Sequence, residues 1–109
     1  MLDAKVLQLH PARGFLERLK GLAFSRRLEG NQGLWFPDCR SVHTLTMTFP
    51  IDIVFLGASL VPVRTEHAVP PGRILWCPAA ASIVELQAGY IRGNPGYADL
   101  IRAAVDRIQ

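Results

Sequence analysis

The sequence predicts a mainly β fold: a small β-sandwich or partly open barrel with an N-terminal and a C-terminal helix packed on it, with α+β as the alternative. Three observations carry this. Short apolar runs recur along the chain between glycine, proline and asparagine turns, as strands do. The central run Ile51–Leu56 is apolar at every position except Asp52, the pattern of a strand covered on both faces. Helical spacing of apolar residues occurs only near the two ends, where helices can cover a sheet whose strands need both faces buried.

Taken in order, Lys5–Leu9 reads as a short first strand closed by His10-Pro11. Phe15, Leu16, Leu19 and Leu22 then mark a short amphipathic helix, with Glu17, Arg18 and Lys20 on its other side and an end near Gly21. Gly30-Asn31-Gln32-Gly33 is a turn by composition and delivers the chain into an aromatic strand, Leu34-Trp35-Phe36. From Ser41 to Phe49 the residues alternate. His43, Leu45, Met47 and Phe49 form a core-facing row, and Thr44, Thr46 and Thr48 a wetter one.

Pro50 marks a bend before Ile51–Leu56. Gly57-Ala58-Ser59 reads as a hairpin turn and Leu60–Arg64 as the returning strand, at a sheet edge because Pro62 cannot donate to a ladder. Thr65–Gly72 reads as a loop holding an exposed His67. Strands Ile74–Trp76 and Ser82–Leu86 follow, Pro78–Ala81 between them has no assignment, and Gly89 ends the last strand. The final segment is a helix to Ile108, capped by Asn94 with Pro95 at its first position. Its apolar side carries Tyr97, Leu100, Ile101, Ala104, Val105 and Ile108.

At 109 residues the chain is expected to form one domain, 1–109. Half its residues are hydrophobic and 19% are charged, which excludes a disordered chain. The net charge is +3, and the ten arginines are scattered, adjacent only at Arg26-Arg27, so no basic stripe points to nucleic acid. No run approaches the ~20 apolar residues of a membrane-spanning helix. Met1–Lys5 lacks the basic lead and apolar segment of a signal peptide, so a cytoplasmic location is expected. Cys39 and Cys77 are too few for a disulfide framework and are expected reduced and half-buried.

The anomaly is Asp52. A carboxylate inside an apolar strand needs a partner, and the candidates are backbone N–H groups, His43, Arg40 or Arg73. Either Asp52 ties down the turn around Pro50, or it pairs with His43 at the mouth of a pocket. Glu85 interrupts an apolar run in the same way and faces either solvent or the same polar centre. Trp35 is a core residue or a pocket wall.

Cys39, Cys77, His10, His43 and His67 show no C-x-x-C or H-x-x-x-H spacing, so neither a metal site nor a cofactor is expected. Cys39 lies four residues before His43, the right types for a nucleophile and its base. The catalytic candidates are therefore Cys39, His43 and Asp52. No G-x-S-x-G, phosphate-binding loop or dinucleotide fingerprint is present.

Several of these pieces form an ordered set: Gly33-Leu34-Trp35, Cys39–Thr44, Met47, Phe49–Leu56, Pro70-Pro71-Gly72-Arg73 and Val84–Gly89. Over roughly residues 12 to 90 the set resembles the uncharacterised family called domain of unknown function 192. The resemblance implies a small, mainly β domain with an N-terminal helix and no established activity or cofactor. The family's recurrent polar positions fall on His43, Thr44, Asp52 and Glu85, with Trp35 and Met47 beside them. In place of the family's usual final strand, often led by a Gly-Asp pair, this chain carries the helix from Asn94 to Ile108.

The leading expectation is a non-catalytic binding or accessory module. It would use a small polar cleft near His43 and Asp52 to take a small ligand or a protein partner. The ligand-binding candidates are Trp35, His43, Thr44, Met47, Asp52, Arg73 and Glu85. The alternative is a small hydrolase-like enzyme in which Asp52 orients His43 as general base beside Cys39. A third reading makes the C-terminal helix a docking surface.

Overall fold

Strands that are apolar on both faces belong in the middle of a layered structure, and the computed structural model of the chain places them there. It describes residues 6–12, 30–45 and 47–109. The strands are β1 (Gln8–Pro11), β2 (Gln32–Pro37), β3 (Ser41–His43), β4 (Ile51–Leu56), β5 (Pro62–Val69), β6 (Ile74–Trp76) and β7 (Ser82–Gln87). Five of them form one sheet in the order β1-β2-β7-β4-β5, and β3 and β6 form a separate two-stranded ribbon. Every residue of β4 is buried, as its composition demands. Helices α1 (Tyr90–Gly93) and α2 (Tyr97–Ile108) complete the described chain.

The large sheet is covered differently on its two faces. Leu34, Phe36, Ile51, Ile53, Phe55 and Ile83 point to one side, where Val42, Leu75, Cys39, Met47 and Cys77 of the ribbon and its loops pack against them. Leu9, Trp35, Val54, Leu56, Val84 and Leu86 point to the other side and meet Tyr90, Ile91, Ile101, Ala104 and Val105 of the helices. Thus the apolar stripe of α2 is spent on the sheet. Two sheets, not closed into a barrel, and helices at the C-terminal end make the mainly β architecture expected. The expected helix through Phe15 and Leu22 lies outside the described residues.

Several boundaries differ from expectation, each for a physical reason. The strand read over Ser41–Phe49 stops at His43, because Thr44 turns inward and is wholly buried rather than part of a wetter row. The segment read as a loop over Thr65–Gly72 is strand as far as Val69. Its polar alternation disguised an edge strand, the position that Pro62 had indicated. His10 and Pro11 lie within the first strand rather than closing it.

Gly33, read as turn, lies inside β2. A Cβ there would fall 2.6 Å from the Glu85 carbonyl oxygen and 2.7 Å from Leu86 Cδ2, so only glycine lets β2 approach this closely. Asn94 does not begin the last helix. Its side-chain amide donates to the Tyr90 carbonyl (2.8 Å) and closes α1, while α2 starts after Gly96.

Candidate functional site

The sheet register decides which candidate residues meet. Directly paired residues of neighbouring strands project to the same face. Asp52 pairs with Leu86 and Ile53 pairs with Glu85. Asp52 therefore projects to the helix side with Trp35, whereas Glu85 projects to the ribbon side. The expected single polar centre is split by the thickness of the sheet.

Asp52 is wholly buried and fully engaged. Its Oδ1 accepts the Ala68 N–H (2.8 Å), and its Oδ2 accepts those of Gly89 (3.2 Å) and Ile91 (3.0 Å). Opposite it the β4–β5 register shifts between Ile51 and Ile53, so His67 and Ala68 together face one residue. Ala68 adopts a left-handed φ of 49°, which turns its N–H onto the carboxylate instead of into the ladder. The other oxygen caps α1, whose first residues have no side-chain cap of their own. Asp52 thus ties down backbone, but at the β5 bulge and the α1 start rather than at Pro50.

No hydrogen bond joins His43 to Asp52 among the described residues, which corrects the expected pair. His43 Nδ1 instead accepts the Leu45 N–H (3.3 Å), and Cys39 Sγ donates to the Ser41 carbonyl (3.5 Å). Cys39 and Cys77 are free and buried. No group of three or more His, Cys, Asp or Glu among the described residues is arranged to hold a metal ion.

Thr44 is a second clasp. Its hydroxyl donates to the Pro70 carbonyl (2.8 Å) and accepts the Arg73 N–H (2.9 Å), while its backbone N–H donates to the Arg73 carbonyl (2.8 Å). The Pro70–Arg73 turn, with Gly72 at a φ of 85°, is held to the end of β3 by this one residue.

Glu85 is the unexplained acid. It is wholly buried between Leu34 and Ile53, its neighbours across the sheet, and no described residue offers either carboxyl oxygen a hydrogen bond. Burial without compensation pushes its pKa up to about 8. At neutral pH the carboxyl is held protonated in an apolar layer. Trp35 and Met47 are also buried.

Of the candidate residues, His43 is half-buried and Arg73 exposed, and the ribbon brings them to one place because His43 pairs with Ile74. Sequence reading took Ile74 and Trp76 as ordinary strand residues, yet they are 72% and 64% exposed. Within β6 only Leu75 points inward. Ile74 and Trp76 share the outer face with their partners His43 and Ser41, and Leu45, 55% exposed, follows His43. Arg64 fixes the Trp76 end: its guanidinium lies over the Phe55 ring (5.2 Å), pairs with Glu66 (2.7 Å) and donates to the Trp76 carbonyl (3.1 Å). Ile74-Leu75-Trp76 is apolar throughout, so the sequence holds no signal for this face; the out-in-out pattern appears only once β6 pairs with β3.

Against known proteins, residues 2–94 match the family DUF192, described as Uncharacterized ACR. The chain belongs to the DUF192 family. Two solved structures have a similar fold. One is a protein of unknown function from Novosphingobium aromaticivorans DSM 12444, with a TM-score of 0.71 and 22% identity over 83% of this chain and 69% of that one. The other is a candidate transcription regulator from Sinorhizobium meliloti 1021, with a TM-score of 0.71 and 21% identity over 82% of this chain and 74% of that one. No curated protein matches. The four polar candidates divide by role: Thr44 and Asp52 fasten backbone, Glu85 lies under the ribbon without a hydrogen-bond partner among the described residues, and His43 is half-buried. Among the described residues no helix is long and apolar enough to cross a membrane.

Proposed function

We propose that this chain is a non-catalytic binding module that engages a protein partner through the outer face of the β3–β6 ribbon. The polar cleft near His43 and Asp52 becomes, on this reading, a surface around His43, Arg73, Ile74 and Trp76, with Asp52 behind it as scaffold. The observation that carries it is the exposure of Ile74 and Trp76 side by side on a strand of three residues. Large apolar side chains grouped on a surface mark interaction sites, and tryptophan is the residue most enriched where binding energy concentrates. The engagement of Asp52 by three backbone N–H groups supports the absence of chemistry at the His43 end.

The test is selection of random displayed peptides on the wild-type protein, followed by counter-selection on Trp76→Ala. Peptides that bind the wild type and not the variant are expected. Recovery of none, or equal binding to both proteins, contradicts the proposal.

A further inference from the structure

We infer that the partner offers an extended, acidic segment with an aromatic or aliphatic residue at its centre. This rests on the reading of the ribbon as the binding face and adds the chemistry of what it binds. Charge is the first argument. Between Asp38 and Asp52 the chain carries Arg40 and His43 and no acid, and between Glu66 and Glu85 it carries His67 and Arg73 and no acid. The ribbon and its turns come from these two stretches. Arg40 and Arg73 are exposed at opposite ends of the face, one before Ser41 and the other before Ile74. The nearest acid on the adjoining edge strand, Glu66, is already paired with Arg64. Arg40 donates one N–H to the Ala80 carbonyl (3.1 Å) and lies two residues from the exposed Asp38, so Arg73 is the stronger anchor. An apolar centre between two exposed guanidiniums is complementary to an apolar residue flanked by carboxylates.

Shape is the second argument. Each ribbon strand has one strand neighbour among the described residues. The Trp76 carbonyl already accepts from Arg64 and the Ser41 carbonyl from Cys39 Sγ, so an extended peptide adds at the Ile74 or His43 end of an edge. The ribbon is three residues long on each strand, the footprint of a short segment rather than of a folded domain. Ser41 and His43 share the face with the apolar pair, and burial against lipid tails would strip both of hydrogen bonds that a peptide backbone can replace.

The experiment reads the composition and salt response of the peptides selected through Trp76, with Ile74→Ser as a second variant and circular dichroism to show that both variants fold. The expected result is enrichment of Asp and Glu around an apolar residue. Binding should weaken at least about 30-fold in Trp76→Ala, fall about fivefold in Arg73→Glu, and decline from low to high salt. Trp76-dependent peptides without acidic enrichment, or binding indifferent to salt, would overturn the inference while leaving the binding module standing. Absence of any Trp76-dependent peptide would overturn both. Trp76-dependent sedimentation with vesicles of phosphatidylcholine and phosphatidylserine, without peptide selection, would replace the peptide by a lipid surface.

Discussion

The centre of the large sheet and the ribbon beside it treat their side chains in opposite ways. β4 and all of β7 but its last residue, Gln87, are buried, including two carboxyl groups, and the ribbon leaves an isoleucine and a tryptophan in water. The difference teaches where to look for function. An acid in a strand centre draws the eye in a sequence, but Asp52 is consumed by holding a bulge and a helix start. Side chains that look like core carry the surface that has no structural use. The two acids also differ from each other, for one has three partners and the other has none among the described residues.

The comparison breaks most visibly at Asp52. Replacing it with alanine removes three hydrogen bonds to a charged carboxylate, one of them from the buried Ile91 N–H, and should cost about 3–6 kcal/mol of unfolding free energy, measured in urea. Asp52→Asn should cost less, since one acceptor oxygen remains. His43→Ala should cost under about 1 kcal/mol. Equal losses at His43 and Asp52 would restore the pair that the structure does not make.

Glu85 provides the next largest effect and a sign. Its pKa in the folded chain is about 8 against 4.5 for a solvated glutamate, so between these values the folded state holds a proton that the unfolded chain has released. The stability it contributes is complete below pH 4.5, declines as pH rises through the window, and is gone above about 8. Across the whole window the decline should amount to at most about 5 kcal/mol. Glu85→Gln, which mimics the protonated group, should flatten it. A wild-type profile already flat from pH 5 upward would mean that Glu85 titrates like a solvated acid.

Smaller still is Gly33→Ala. It should lose about 1–3 kcal/mol by thermal melting, because the new methyl meets the Glu85 carbonyl and Leu86. At the ribbon the expectation reverses. Trp76→Ala should change stability by no more than about 0.5 kcal/mol, since the ring is 64% exposed, while abolishing peptide selection.

Much of this was legible before any coordinates. The continuous apolar runs identified β4 and β7, Pro62 marked the edge, and the spacing of Tyr97, Ile101, Ala104 and Val105 gave the last helix and its buried side. Asp52 and Glu85 stood out because each interrupts an apolar run. What could not be read was whether they face each other. Alternation fixes the two sides within one strand, but only the pairing of Ile53 with Glu85 reveals that Asp52 lies on the opposite face. The same limit hid the ribbon. Ile74 and Trp76 have core chemistry, and their exposure follows from β6 pairing with β3 instead of joining the large sheet. Thr44 was misplaced because an alternating threonine row looks like a strand, while its hydroxyl serves a turn 26 residues away.

The most direct measurement is calorimetric titration of a selected acidic peptide into the wild type, Glu85→Gln and Trp76→Ala, all shown to be folded. Glu85→Gln should bind within about twofold of the wild type, and Trp76→Ala at least about 30-fold more weakly. Loss of binding in Glu85→Gln with retention in Trp76→Ala would contradict it, and would move the site from the ribbon's outer face to the buried acid beneath.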